Sequence, residues 1–468
     1  MAQNLFSRRR QTKRKQKGKR HNNEFFDEST DASLVRRCEV SKLSHEGRGI
    51  AKYKGKTQFI EGALIGETVS AKLLNSANTY DELQVIDVLL ASPDRVKPFC
   101  QHFSLCGGCS LQTMTPASQL NHKASVLKEQ LAHFGQIESS DTLDSISSDS
   151  QHYRSKARLG VYYDSSLDRL IIGFREKQSK RLTDIEACPI LVEAIGRLLP
   201  SLRVLCQGLE NARHITHIEL AASDSEQAMV IRHMKPFSEQ DKAALLDFSS
   251  QQSVRLFLQA EAGQQAKELT PSTKDMSYSI ALSGEKDLTL AFHPQDFTQV
   301  NTTVNQSLID LALKQLELNE TDKVLDLFCG LGNFTLPIAL KCQSVVGVEG
   351  SKRMVDKASM NAKVNGIENA SFYSADLHAD FRHQPWAKQQ FNKIVIDPPR
   401  AGALVVANYL QHFNAERIVY ISCNPATLSR DAGVLAAHGY RLEASGVIDM
   451  FPNTAHIESI AVFVRQTK

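Results

Sequence analysis

Cys423 ends a run of residues built for nucleophilic chemistry. The run is Arg417-Ile-Val-Tyr-Ile-Ser-Cys-Asn-Pro425, and Ile418 to Ser422 are mostly β-branched or aromatic. That composition predicts a buried parallel strand. Pro425 cannot continue a sheet ladder and biases Asn424 away from helix, so the strand stops at the thiol. A helix is expected to follow from Ala426 to His438. Ligands of open α/β sheets bind at the carboxyl ends of the strands, which places Cys423 at an expected active-site rim. A thiol of ordinary pKa is a few per cent thiolate near neutral pH, a good nucleophile and a good leaving group.

Other chemistry-bearing residues cluster by spacing. Cys100-Gln-His-Phe-Ser-Leu-Cys106-Gly-Gly-Cys109 holds three thiols in one loop, too few for a closed four-ligand metal site. Cys188, in Glu186-Ala-Cys-Pro189, is the candidate fourth ligand; Cys206 competes but lies in an apolar helical pattern. Spacing alone does not separate zinc from an iron–sulfur cluster, because both accept four thiolates. The C-x3-C-x2-C spacing of radical enzymes is absent. Towards the C-terminus, Lys323-Val-Leu-Asp-Leu-Phe328 reads as a strand and Cys329-Gly-Leu-Gly332 as a tight loop opening a helix. A dinucleotide fingerprint wants a third glycine where Thr335 stands. Val345-Val-Gly-Val-Glu-Gly350 ends in Glu349, placed to accept two ribose hydroxyls, and Asp376 fits an adenine amino contact. Lys393-Ile-Val-Ile-Asp-Pro-Pro-Arg400 holds Asp397 on a stiff turn over the same pocket. Base-amine methylases carry an aromatic after two such prolines; Arg400 argues against that chemistry. Asp449-Met-Phe-Pro-Asn-Thr-Ala-His-Ile-Glu458 offers carboxylates beside a terminal strand, general-base candidates if they face Cys423.

The elements that must position these groups follow from the pattern of the whole chain. At 468 residues, 42% hydrophobic and 23% charged, it is an ordinary globular composition with room for several cores. No apolar run approaches a membrane span, and no secretory h-region follows the basic N-terminus. Nine cysteines then belong to a reducing cytoplasm. The net charge of +3 is uneven: residues 8 to 20 carry nine Lys or Arg and no acid, leaving 46 basic against 52 acidic residues elsewhere. Such a tail, 1–33, is expected to be disordered and to contact nucleic acid by counterion release. Residues 34–92 read as short strands around glycine turns, a small OB-like barrel with seven Lys or Arg and two Glu between Arg36 and Lys56. Residues 93–290 read as a mixed α/β domain that includes a helix from Ala117 to Phe134 and an exposed linker from Ser139 to Ser150. Arg154, Lys156 and Arg158 after it face RNA or solvent. Residues 291–468 alternate strand and helix, which implies a parallel sheet.

Two resemblances sharpen this. Residues 34–92 resemble the TRAM domain, an RNA-binding barrel. Asp326-Leu-Phe-Cys-Gly-Leu-Gly-Asn-Phe-Thr335, Asp397-Pro-Pro-Arg-Ala-Gly402, Ser422-Cys-Asn-Pro425 and Asp449-Met-Phe-Pro with His456-Ile-Glu458 are similar, in order, to motifs of the RNA uracil-C5-methyltransferase family. So is His293-Pro-Gln-Asp-Phe-Thr-Gln-Val-Asn301. The resemblance implies a Rossmann-like S-adenosylmethionine methyltransferase domain behind a TRAM barrel and a central α/β iron–sulfur domain. It implies Cys423 as nucleophile on uracil C6 and Glu458 as the base for the C5 proton. Gln299, Phe328, Asn333, Glu349, Asp376 and Asp397 would contact S-adenosylmethionine, with Asp397 also near the uracil edge. Cys100, Cys106, Cys109 and Cys188 would carry a [4Fe-4S] cluster, which marks the iron–sulfur branch; with the barrel, it points to 23S rRNA as partner. No membrane and no obligate protein partner is expected. A tRNA uracil methylase, a cytosine-C5 methylase and an RNA-binding assembly factor without activity are the alternatives.

Overall fold

The computed structural model describes residues 34–466 apart from 167, 261, 262, 271 and 273. The basic tail therefore lies outside the described residues. Among the described residues no helix is long and apolar enough to cross a membrane.

The C-terminal half is built on an eight-stranded sheet. Its order is Ala370–Ser374, Ser344–Glu349, Lys323–Leu327, Lys393–Ile396, Arg417–Ser422, Glu458–Arg465, Tyr440–Ile448 and Asp141–Thr142. The first five strands run parallel, and Glu458–Arg465 enters antiparallel to Arg417–Ser422. Lys393–Ile396 and Arg417–Ser422 are buried throughout, as expected of strands covered by helices on both faces. The chain runs outward from Lys323–Leu327, then returns to its other side with Lys393–Ile396. That reversal is the switch point at which doubly wound sheets bind ligands.

Helix Pro116–Gln130 starts where Thr115 accepts the Ser118 N–H and Pro116 takes the first turn, where its missing N–H matters least. Its Val126 and Leu127 share one core with Ile394, Ile396, Ile418 and Tyr420. The helix thus packs on the eight-stranded sheet, although it precedes the 290/291 boundary by far. Residues 276–292 likewise join that half, with Ile280 and Leu290 packed against Val324 and Val395.

Ser139–Ser150 is not a free linker. Thr142 pairs with Ser445 at the sheet edge, and the Leu143 and Ile146 N–H groups donate to Ser445 and Val447 carbonyls at 2.9 and 3.0 Å. An open edge strand presents unpaired backbone groups, and this segment satisfies them. Gly446 makes it possible, because a Cβ there would sit 2.8 Å from Leu143 Cβ.

Residues 35–90 form a six-stranded sheet around Cys38, Val40, Ile60, Val69 and Leu83. Its basic excess is smaller than the residue count implies. Arg36 and Lys56 both pair with buried Asp81, and Arg48 pairs with Glu46 and Glu82. A seven-stranded sheet over residues 156–268 carries helices Leu198–Gly208 and Glu239–Gln252 on one face. Cys206 is fully buried in that core. Lys156 is partly buried: its ammonium lies over the Phe292 ring and donates to the Asp296 carbonyl, and desolvation lowers its pKa to about 8. Arg158 is half exposed and paired with Glu219.

Candidate active site

Strand register assembles the site. Leu327 is flanked by Val348 and Ile396, Ile396 by Tyr420, Ser422 by Ser459, and Glu458 by Ile448. Residues 328–332, Glu349, Asp397 and Cys423 therefore leave the sheet at one end, where Glu458 enters it.

On the cofactor side, the Phe328 and Cys329 N–H groups both donate to the Val348 carbonyl, at 2.8 and 3.0 Å. The chain then turns through left-handed conformations at Phe328, Gly330 and Gly332 (φ 67°, 55° and 93°). Glycine suits such φ values and leaves the backbone open to a ligand. Glu349 is held over the loop by the Gly330 N–H at 3.3 Å and the Ser351 N–H at 3.0 Å. Asp376 accepts the His378 N–H at 2.9 Å, and the His378 ring lies 5.7 Å from that of Phe328. Asn333 is fixed by a reciprocal amide pair with Asn305 and by the Tyr278 hydroxyl at 3.1 Å. Gln299 lines the small cavity behind that pair. Of the six expected cofactor contacts, Phe328, Glu349, Asp376 and Asp397 stand at the strand ends, and Asn333 pairs with Asn305, which lines the same cavity as Gln299. Asp326 was not singled out by its sequence. It is fully buried and hydrogen-bonded to Thr335, with its carboxyl raised to about 7 by burial.

On the thiol side, the two proline turns are laced together. Asn424 caps the helix Pro425–Ala437 through the Ala426 N–H, and its Nδ2 donates to the Arg400 carbonyl at 3.1 Å. Thr427 Oγ1 donates to the same carbonyl at 3.4 Å. Cys423 is half-buried, and its thiol is pushed up to about 11 by burial, then by the Glu458 and Asp397 carboxylates, with Arg400 opposing. This corrects the expectation of a few per cent thiolate. At pH 7 a thiol of that pKa is ~10⁻⁴ ionised. Burial raises Asp397 to about 7. Glu458 is raised to about 8 by burial and Asp397, against the pull of Lys123, and its Oε2 has no hydrogen-bond partner among the described residues.

Lys123 escaped the sequence reading. It lies on the helix face of Gln119, Val126 and Leu127, fully buried. A lysine on the inward face of an amphipathic helix was the only signal.

The four candidate ligand thiols converge. Ionisation of Cys188 is opposed by burial and then by Cys109, Cys100 and Cys106, and that of Cys109 by Cys106 and Cys100. The Glu186 N–H donates to His102 Nε2 at 3.3 Å, tying the two cysteine loops together. Among the described residues no three His, Cys, Asp or Glu close around a single metal ion. All nine cysteines are free.

A doubly wound sheet, a glycine loop under a strand-end glutamate and a thiol at a neighbouring strand end fit an enzyme that binds a nucleoside cofactor and attacks with sulfur. Comparison with known proteins narrows the class. The family model described as tRNA (Uracil-5-)-methyltransferase matches residues 115–466. A Hahella chejuensis protein named 23S rRNA (uracil(1939)-C(5))-methyltransferase RlmD is 47% identical, covering 91% of this chain and 96% of its own. A protein of the same name from Acinetobacter baumannii is 45% identical, over 91% and 95%. Pyrococcus abyssi tRNA (uracil-54, C5)-methyltransferase, solved with S-adenosyl-L-homocysteine, shares the fold at TM-score 0.69 and 20% identity, over 92% of this chain and 100% of that one. The chain belongs to the RNA uracil-C5-methyltransferase family.

Proposed function

We propose that this protein methylates C5 of a uridine in 23S rRNA, the uracil numbered 1939 in its relatives' names. The observation that carries the reading is the convergence of Cys423, Glu458 and Asp397 on one end of the sheet, beside the glycine loop and Glu349. When bound, S-adenosylmethionine supplies an electrophilic methyl group. The loop fits it: positive-φ backbone permits close approach, and Glu349 is oriented for ribose hydroxyls.

Uracil C5 is too weak a nucleophile to be methylated unaided. Cys423 gives its proton to solvent, the thiolate Sγ–C6 bond forms, and the electrons of the C5=C6 π bond move to C5 and the C4 carbonyl. Asp397, raised to about 7, is half protonated near neutral pH and can donate to that carbonyl as charge develops. Once C5 carries the methyl group, Glu458 removes the C5 proton, the C5=C6 bond re-forms and the C6–S bond breaks, returning Cys423 as the thiolate. The uridine must leave its stack to reach Cys423, which costs a few kcal/mol. Contacts from the barrel of residues 34–92, read as a TRAM domain, would offset that cost.

RNA choice is tested with radiolabelled S-adenosylmethionine and separate 23S rRNA and tRNA transcripts. Label is expected in the rRNA; label in tRNA alone would identify a tRNA uracil methylase and overturn the assignment.

Cys100, Cys106, Cys109 and Cys188 are read as ligands of a [4Fe-4S] cluster, with a structural role in joining two loops. Four convergent thiols form a soft donor set that a cationic cluster neutralises. Tetrahedral zinc draws its sulfurs to about 3.8 Å apart, as bonds of ~2.3 Å require, whereas a cluster of several atoms spreads them. Anaerobically purified protein should be brown, with broad visible absorbance that Cys188→Ser removes. Colourless protein carrying one zinc would refute the cluster. Reduced thiols accord with a cytoplasmic location.

A further inference from the structure

Lys123 connects the helix Pro116–Gln130 to the base. Its ammonium donates to Asp449 Oδ1 at 2.6 Å and to the Phe451 carbonyl at 3.1 Å. Asp449 directly follows Ile448, the register partner of Glu458, so the cation sits next to the residue pair that carries the base. These contacts use two of the three lysine donors. Glu458 Oε2, buried, lacks a partner among the described residues. One donor and one acceptor are thus left unmatched within the same buried region. A buried ion pair is often no more stabilising than an apolar pair of the same volume, so its presence calls for a role other than stability.

We propose that Lys123 is a positioning residue for C5-proton abstraction, its buried ammonium favouring the carboxylate form of Glu458 against Asp397 and burial. The proposal rests on Glu458 acting as the base. Three elements face Glu458 with charge: the turn carrying Asp397, the turn carrying Cys423 and the helix carrying Lys123. Asp397 favours the acid form of Glu458, and Lys123 is the cation opposing it. Lys123 in turn faces Asp449 and Glu458, and it disfavours protonation of His122 and, with Arg400 and Arg154, of His456. Because Glu458 must be anionic after methyl transfer, the cation governs how much enzyme can complete the reaction at a given pH. Addition of Cys423 to C6 needs no such proton removal, so the two steps respond differently.

The test is Lys123→Met/Asp449→Asn, which removes both buried charges and nearly conserves volume. Its acid limb in the kcat–pH profile on rRNA should move up by about one unit. Turnover would then fall about tenfold at pH 7 and about twofold at pH 9. Covalent capture of 5-fluorouridine RNA, in which no C5 proton is removed, should keep the parental rate. Lys123→Arg retains the cation and should keep the parental midpoint. Equal loss at every pH, parallel loss of covalent capture, or a midpoint moved as far by Lys123→Arg would each make the pair merely structural and overturn the proposal. Normal turnover by Glu458→Gln would instead remove the base assignment itself, a separate result.

Discussion

Cys423→Ala abolishes methyl transfer, with turnover lowered on the order of 10⁴-fold or more, and forms no covalent complex with 5-fluorouridine RNA. The size follows from the chemistry: without a sulfur on C6, no group at the strand ends can make C5 nucleophilic. The substitution truncates one small half-buried side chain, so it costs stability about 1 kcal/mol or less and the loss reads as chemistry. Persistence of the fluorouridine adduct, seen as a gel-shifted band, would refute the nucleophile. The pH dependence is informative as well. Because burial and two carboxylates push the thiol up to about 11, the thiolate population rises tenfold per unit across the neutral range. Adduct formation in single-turnover assays should therefore rise with pH from 5 to 7 and level off above, as Asp397 loses the proton it donates. A flat profile would show that bound RNA supplies the missing base.

Glu458→Gln is expected to stop the reaction one step later. Methyl transfer proceeds, the C5 proton stays, and the methylated RNA remains attached to Cys423. Turnover should fall on the order of 10²–10⁴-fold, the usual contribution of a positioned general base. Mass spectrometry of the trapped complex, one methyl heavier than a simple adduct, checks it; unchanged turnover would remove Glu458 from the mechanism. In the parent, the base form grows as pH rises through about 8, so the acid limb of turnover belongs there. Stability moves the opposite way. From about pH 4.5, the ordinary carboxyl value, to about 8, the unfolded chain has released a proton that the folded chain keeps. Folding is thus progressively disfavoured by this group across that window. Glu458→Gln should melt higher than the parent above pH 8 while losing turnover, a trade of stability against function at one side chain.

The legible part of this site was local. β-branched runs ending in Asn-Pro or Asp-Pro-Pro identify strand ends, because proline ends a ladder wherever the chain goes next. Gly330, Gly332 and Glu349 were readable for the same reason: a positive-φ turn and an acidic strand end are properties of neighbouring residues. Segment roles were harder. Ser139–Ser150 has the composition of a linker, yet it straps the sheet edge, since only the fold says which strand lacks a neighbour. Lys156 looked like surface charge, and only packing against Phe292 partly covers it.

By itself the sequence determined that a thiol and an Asp-Pro-Pro turn stand at strand ends, and that three cysteines share one short loop. Tertiary structure alone decided what those groups are at neutral pH. Cys423 is a thiol pushed up to about 11 rather than a ready thiolate, because packing buries it and the antiparallel entry of Glu458–Arg465 adds a carboxylate beside it. Lys123 reaches Asp449 across 326 residues of chain. A side chain's charge depends on burial and on partners brought by distant segments, and the order of residues along a strand does not record either.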